Sequence, residues 1–265
     1  PGSPRELHGG IHACNSRDFT EWTLETHAPL GPLPVWDIPG DNPAGPTVII
    51  THGWGDSRIG QLIRLSPYLS FASRVLLWDL PGHGDAKSQS TALGRSESAA
   101  LCRLIDQTDG PVVLVGHSMG AGISIETAAI SPTSRIIGVV AESVYNLPGT
   151  PASRVLSARG LPNWGFVRTA LAIIGGLHWQ RTNGSFDRSR FARSLRVPLL
   201  LIHGEKDPVS PIEDAQTHTQ STQQATLIVI PGGRHNDLWF NPSSRAACEA
   251  AVRAWVLSIL KPPAN

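Results

Sequence analysis

Six short apolar runs, separated by segments with a helical pattern, constrain the fold of this chain more than any other feature. The runs are rich in β-branched residues and are continuous rather than alternating, which is typical of strands buried on both faces of a mostly parallel sheet. They lie at 48–50, 75–78, 112–115, 136–140, 199–202 and 226–230. Between them, the spacing of apolar residues predicts helices at about 59–69, 96–108, 121–130 and 212–222. The chain is therefore predicted to be an α/β protein with helices on both faces of a central sheet.

Three further segments complete the predicted architecture. Asn241 is a suitable N-cap, and Pro242 a suitable first residue, for a last helix that runs to about residue 260. Residues 19–37 have the mixed, proline-broken pattern of one or two edge strands, where a missing N–H is tolerated. Residues 146–195, approximately, lack a strand pattern and are predicted to be a small helical cap inserted between the sixth and seventh strands. Without a repeat or a low-complexity linker, residues 1–265 are predicted to form a single domain.

Charge and cysteine usage exclude several classes of function. The chain has 22 Lys and Arg residues against 21 Asp and Glu, and this net charge of +1 gives no electrostatic case for a nucleic-acid partner. Cys14, Cys102 and Cys248 stand far apart, so they predict neither a disulfide framework nor a metal site. No apolar run is long enough for an integral membrane segment. A cytoplasmic location is the simplest interpretation, and a signal peptide removed before Pro1 is the open alternative.

The segment GHSMG at residues 116–120 carries the clearest chemical signal. It follows the predicted strand 112–115 and precedes the predicted helix 121–130. This is the context of a nucleophile elbow, in which a serine sits on a sharp turn between a strand and a helix. The flanking glycines remove Cβ atoms where strand and helix pass closely. Ser118 is therefore the candidate nucleophile.

A serine hydroxyl is a poor nucleophile at neutral pH, so the elbow predicts a histidine base and an acid later in the chain. Asp207 lies just beyond the predicted strand 199–202, and His235 lies just beyond the predicted strand 226–230. The order Ser118, Asp207, His235 is the one expected for an elbow of this kind. We therefore predict Asp207 as the acid and His235 as the base.

The oxyanion of a tetrahedral intermediate needs a pair of backbone N–H donors. Met119, directly after the nucleophile, is predicted to supply one. Trp54, in the HGWG segment that follows the strand 48–50, is predicted to supply the other. The indole of Trp54 is also a candidate wall of the substrate pocket.

Other ionisable and aromatic side chains compete for these roles. Glu142 also ends a predicted strand and is the alternative acid. The remaining histidines are assigned structural places: beside key turns for His117 and His203, loop bracing for His52 and His83, and the surface or the insertion for His178 and His218. Asp214, Asp237 and Asp79 are assigned as helix, turn and structural carboxylates, and Trp164 and Trp179 to packing within the cap.

These blocks together resemble the α/β-hydrolase family, and the resemblance covers about residues 19–260. The matching blocks, in the family's order, are HGWGDS from His52, DLPGHG from Asp79, GHSMG from Gly116, and then HGEKDPVSP and GGRHNDLW. Within the family, the AES segment at 141–143 is similar to that of compact serine hydrolases related to lysophospholipases, monoacylglycerol lipases and serine aminopeptidases.

The resemblance implies a serine hydrolase that cleaves carboxylic esters with small to medium acyl groups through an acyl-enzyme. Its partner is expected to be a small-molecule ester, and no cofactor or metal is implied. The same triad serves amides, peptides and thioesters, and a hydrolase-fold protein that binds a ligand with little turnover is a further alternative. An aminopeptidase needs acidic groups near the pocket, and Asp187 is the only acid in the insertion. A monomer or homodimer is expected.

Overall fold

The computed structural model describes residues 17–26, 30–86, 91, 94, 96–160 and 187–260. Its strands are β1 (Thr20–Leu24), β2 (Leu33–Pro39), β3 (Thr47–Thr51), β4 (Arg74–Trp78), β5 (Val112–His117), β6 (Ile136–Glu142), β7 (Leu199–Gly204) and β8 (Ala225–Ile230). Within these residues they form one eight-stranded sheet in the order β1-β2-β4-β3-β5-β6-β7-β8. The pairs β1–β2 and β2–β4 are antiparallel, and all other neighbours are parallel. This sheet confirms the predicted α/β fold. Of the two strands that begin within the predicted edge segment 19–37, β1 lies at the edge of the sheet, whereas β2 pairs with both β1 and β4.

Helices cover both faces of the sheet. They are a 3-10 helix (Arg58–Arg64), α1 (Ser66–Leu69), α2 (Glu97–Asp106), α3 (Met119–Ile130), α4 (Gly149–Ala158), α5 (Arg188–Arg193), α6 (Ile212–Ser221) and α7 (Pro242–Leu260). One apolar cluster joins the sheet to α2, α3, α5 and α6, and a second joins its other face to the 3-10 helix, α1 and α7. Because the central strands are buried from both sides, their apolar residues are continuous in the sequence.

Two predictions differ from the structure. The helix predicted at 59–69 is a 3-10 helix followed by the short α1, which has Pro67 in its first turn. Proline has no N–H to donate to an earlier carbonyl, so one continuous α-helix cannot pass through this position. The assignment of His218 to the surface or the insertion is wrong, because His218 is fully buried. It lies three residues after Ala215 on the inward face of α6.

The predicted insertion starts and ends with helices that the structure describes. After β6 the chain forms α4, and before β7 it forms α5, which is capped by the carboxylate of Asp187. Residues 161–186, which include Trp164, His178 and Trp179, lie outside the described residues. Among the helices that the structure describes, none has both the length and the hydropathy that a membrane span requires.

Candidate active site

The turn between β5 and α3 places Ser118 in a strained conformation. Its φ of 55° and ψ of −112° are unusual for a residue with a side chain. A Cβ on Gly116 would lie 2.2 Å from the carbonyl oxygen of Gly120, and a Cβ on Gly120 would lie 2.2 Å from that of Thr51. Only glycine fits at these two positions, which lets the strand and the helix approach closely enough to hold the turn. The structure therefore has the local geometry that the GHSMG segment predicts.

The predicted triad residues form one continuous hydrogen-bond chain. Nε2 of His235 lies 2.9 Å from Oγ of Ser118, and Nδ1 of His235 lies 2.7 Å from Oδ2 of Asp207. The three side chains come from loops that follow β5, β7 and β8, whose carboxyl ends meet at the same edge of the sheet. All three residues are buried. The arrangement can move a proton from the Ser118 hydroxyl to the imidazole.

Asp207 is surrounded by groups that favour its ionised form. Burial alone raises the pKa of its carboxyl group, but the hydrogen bond and charge of His235 and two backbone N–H groups lower the pKa more. The N–H groups are those of Val209 and Ser210, both 2.8 Å from Oδ1. The net result is a pKa below the ordinary value of aspartate. Asp207 is therefore a carboxylate at neutral pH and can hold the Nδ1–H of His235.

His52 fixes the peptide group that carries the Trp54 N–H. The backbone N–H of Leu80 donates to Nε2 of His52 at 2.9 Å, so in the neutral ring Nδ1 carries the proton and donates to the Gly53 carbonyl at 2.7 Å. Burial lowers the pKa of His52 to about 3, which keeps the ring neutral. The Gly53 carbonyl and the Trp54 N–H point in opposite directions across one planar peptide. His52 thus keeps the Gly53–Trp54 peptide from flipping, in agreement with the bracing role expected for it.

A cavity of about 670 Å³ opens above Ser118. Trp54 and Met119, the two predicted donors, both line it, and Met119 is the first residue of α3, where N–H groups have no acceptor within the helix. The indole of Trp54 is about half exposed and meets the His83 ring edge-on. The apolar part of the lining comes largely from α4 and from single residues of other loops. These residues are Tyr145, Pro148, Pro151, Ala152, Val155, Leu156, Val209 and Phe240.

The structure does not bring the alternative acid, Glu142, to His235. The buried carboxylate of Glu142 instead accepts hydrogen bonds from Nε of Arg64 at 2.7 Å and from Nε1 of Trp239 at 2.9 Å. A buried carboxylate without a cation would be costly, and Arg64 supplies the cation here. Glu142 therefore ends its strand in a structural ion pair and not in a catalytic geometry.

The other acids hold local structure, as predicted. Asp79 pairs with the buried Arg58, the two carboxylate oxygens of Asp214 accept hydrogen bonds from Asn146, and Asp237 accepts the N–H of Arg234.

Several residues that line the cavity carry no signal in the sequence. Asp56 and Arg64 reach it from the loop and the 3-10 helix after β3, and Phe240 reaches it from the segment before α7. None of them directly follows a strand, and Asp56, although it lies within the HGWGDS block, has no chemical role assigned to it by the sequence. Their proximity to Ser118 depends on how the loops fold over the sheet edge, which periodicity does not encode.

Comparisons with solved structures agree with this fold. An esterase from Pyrococcus furiosus, Pf2001, superposes with a TM-score of 0.72 at 18% identity, covering 98% of this chain and 95% of that one. A thermophilic esterase from Thermogutta terrifontis superposes with a TM-score of 0.64 at 18% identity, covering 91% of this chain and all of that one. At this level of identity, the likeness concerns the fold.

Sequence comparisons cover different lengths of the relatives. The magnesium-chelatase 30 kDa subunit of Rhodobacter capsulatus is 35% identical over 118 residues, which are 42% of this chain and only 39% of that protein. Protein phosphatase methylesterase 1 of Mus musculus is 26% identical over 156 residues, or 56% of this chain and 40% of that protein. Phospholipase YtpA of Bacillus subtilis (strain 168) is 25% identical over 244 residues, or 83% and 89% of the two chains.

A family model provides the decisive comparison. The model described as the alpha/beta hydrolase family matches residues 48–251, from β3 into α7, which is well over half of the chain. The match includes the elbow, Asp207 and His235, and the sheet order agrees with it. The chain therefore belongs to the alpha/beta hydrolase family.

Proposed function

We propose that this protein is a serine hydrolase that cleaves small-molecule carboxylic esters through a Ser118 acyl-enzyme. The observation that carries the proposal is the hydrogen-bond chain from Asp207 through His235 to Ser118, at 2.7 and 2.9 Å, beside a largely apolar cavity. The names of relatives such as phospholipase YtpA, and of structural neighbours such as the Pyrococcus furiosus esterase, support an esterase-like or lipase-like activity.

Acylation follows from the positions of the three side chains. Oγ of Ser118 attacks the ester carbonyl carbon while Nε2 of His235 takes its proton. The N–H groups of Trp54 and Met119 stabilise the resulting oxyanion. When the C–O bond to the alcohol breaks, His235 gives the proton to the leaving oxygen and the acyl group stays on Ser118.

Deacylation uses the same groups with water as the nucleophile. His235 takes a proton from water, which attacks the acyl carbon, and then returns a proton to Oγ of Ser118 as the carboxylic acid leaves. In both steps Asp207 keeps the imidazole oriented and stabilises its positive charge. No step requires a metal or an organic cofactor.

The cavity supports acyl groups of small to medium size. A volume of about 670 Å³ lies within the range of small-molecule sites, and α4 supplies much of the apolar lining. Within a single α/β-hydrolase domain, approximately residues 146–195 would then act as the cap that selects substrates. Pocket shape rather than the triad sets the preferred ester.

Asp56 favours cleavage of an amide next to a free amino group as a second candidate. Asp56 lines the cavity and lies outside the insertion, in which Asp187 is the only acidic residue. Oδ1 of Asp56 accepts the Ser57 N–H and Oδ2 accepts Nε2 of Gln61, both at 2.8 Å, and each oxygen keeps a second lone pair. Faster hydrolysis of aminoacyl p-nitroanilides than of the matching esters, lost in Asp56→Asn, would favour this candidate.

Hydrolysis of p-nitrophenyl esters from acetate to palmitate tests the proposal. We expect turnover with a maximum at one chain length, and its loss in Ser118→Ala. Ser131→Ala is the matched control, because Ser131 caps the opposite end of α3. Folded wild-type protein that hydrolyses none of these esters, but reacts rapidly with a fluorophosphonate at Ser118, would indicate a different substrate. Absence of both reactions would favour a ligand-binding protein.

A further inference from the structure

The backbone of His235 is held by side chains from two neighbouring strands. Nε2 of His117 lies 3.0 Å from the His235 carbonyl oxygen, and Oγ of Ser143 lies 3.4 Å from the same oxygen. His117 is the last residue of β5, and Ser143 directly follows β6. Both residues are buried. The imidazole of His235 is thus held by Asp207 and Ser118, while its carbonyl is held separately.

The chemistry of these contacts fixes the state of His117. A carbonyl oxygen only accepts hydrogen bonds, so Nε2 of His117 must carry a proton and donate it. Burial, reinforced by the charge of Arg64, holds the pKa of His117 well below its ordinary value, so the ring is neutral and Nδ1 is unprotonated. Among the described residues Nδ1 has no hydrogen-bond partner. It faces Gly53, where a Cβ would lie 3.0 Å away. One hydrogen bond and close packing therefore orient the ring.

Ser143 adds an unusual backbone conformation. Ser118 and Ser143, with φ of 55° and 49°, are the non-glycine residues with positive φ in the described part of the chain. Both are hydrogen-bonded to His235, Ser118 at the imidazole and Ser143 at the carbonyl. The N–H of Ser143 also donates to the Ile202 carbonyl at 2.9 Å. Strain of this kind persists where surrounding contacts enforce it, and it concentrates at functional sites.

We propose that His117 and Ser143 are positioning residues that hold the His235 carbonyl and thereby keep its imidazole aligned between Asp207 and Ser118. The inference rests on the proposed function, because it takes His235 as the base. A shift of about 1 Å in the base lowers the rate by up to about 100-fold, so a backbone anchor on its loop has a direct kinetic consequence. The shorter bond from His117 is expected to contribute more than the longer bond from Ser143.

Three variants test this role. His117→Leu removes the donor at similar volume, His117→Gln keeps an N–H near the position of Nε2, and Ser143→Ala removes the hydroxyl. His117 also lines the cavity, so kcat rather than KM reports the alignment of the base. We expect His117→Leu to lower kcat about tenfold to 100-fold, and His117→Gln to recover most of the loss. Ser143→Ala should lower kcat less than His117→Leu does. Fluorophosphonate labelling of Ser118 should slow in the same order.

A signal that needs no turnover separates this inference from the proposed function. The Nδ1–H of His235, bonded to Asp207, can be followed by proton NMR at low field. We expect the signal to shift or broaden in His117→Leu and to return in His117→Gln, whether or not the wild-type chain hydrolyses the ester used. The inference would be overturned if His117→Leu had the same kcat, labelling rate and NMR signal as the wild type. A loss of kcat that parallels the loss of thermal stability in the variants, and that His117→Gln does not recover, would also overturn it. If His117→Leu does not fold, an unchanged kcat and signal in Ser143→Ala decide against the proposal.

Discussion

The two walls of the cavity differ in how firmly the protein holds them. The wall at the carboxyl edge of the sheet carries Ser118 and His235, and Asp207 lies behind His235. The three residues are buried and joined by hydrogen bonds of 2.7 and 2.9 Å. The other wall is α4, in which none of the ten residues is buried. Under the proposed function, we infer a division of roles from this difference: the sheet edge would set the reaction geometry, and the cap helix would set which substrate fits.

The polar contacts of the two walls show the same contrast. The catalytic loops are fixed by short bonds to backbone atoms, such as those from Val209 and Ser210 to Asp207. The contact of α4 with these loops is a bond of 3.4 Å from Nη1 of Arg154 to the Asp207 carbonyl. A partly exposed contact of this length contributes little to stability. Changes in α4 are therefore expected to leave the triad in place.

The largest effect is expected from the acid of the sheet edge. Asp207→Asn keeps the shape of the side chain but removes the charge that holds the Nδ1–H of His235, so kcat should fall roughly 10⁴-fold. KM should change little, because Asp207 does not line the cavity. Steady-state kinetics with a preferred ester measure both. Asp41→Asn, which removes an exposed partner of Arg17, is the control. A retained kcat in Asp207→Asn would mean that another carboxylate supplies the charge.

Acid conditions should destabilise the fold through His218 on α6. Burial, followed by the charge of Arg188, lowers the pKa of His218 to about 4 from an ordinary value of 6.5. Because the unfolded chain binds this proton more readily, the stabilisation is complete above pH 6.5 and is lost as the pH falls towards 4. The shift corresponds to about 3 kcal/mol of unfolding free energy. Urea unfolding at decreasing pH should therefore show that the free energy of unfolding falls more steeply in the wild type than in His218→Leu. Parallel plots of unfolding free energy against pH for the two proteins would contradict a lowered pKa of His218.

The comparison also explains how much the sequence could predict. The central strands and the proposed triad follow from local patterns, because each residue of the proposed triad lies just beyond an apolar run of a parallel sheet. Apolar spacing alone predicts one helix at 59–69 and not the 3-10 helix at Arg58–Arg64, although Pro67 is a local signal that the helix breaks. The buried position of His218 and the cavity positions of Arg64 and Phe240 depend on long-range packing, which has no signature in nearby residues.

A substitution at Gly53 tests how closely the side chains at the sheet edge are packed. A Cβ at this position would lie 3.0 Å from Nδ1 of His117 and 3.2 Å from Cβ of Ser118. Gly53→Ala should displace one or both side chains and lower kcat about tenfold to 100-fold. Gly31→Ala is the control, because its φ of 67° is unfavourable for alanine but no atom of the described residues lies within 4 Å of the added Cβ. It should cost about 1 kcal/mol of stability without changing kcat. Equal kcat in both variants would show that the edge accommodates the extra atom.

The smallest effect is expected from the cap wall, where Val155 lines the cavity and is 37% exposed. Val155→Ala removes two methyl groups from the apolar lining, so KM for the preferred ester should rise about fivefold, close to 1 kcal/mol, while kcat stays within about twofold. The optimum should move to a longer acyl chain, because the cavity gains space. Val229→Ala on β8 is the matched control, since Val229 is 42% exposed and does not line the cavity. A lower kcat at unchanged KM in Val155→Ala would place α4 in the chemical step and remove the division of roles between the two walls.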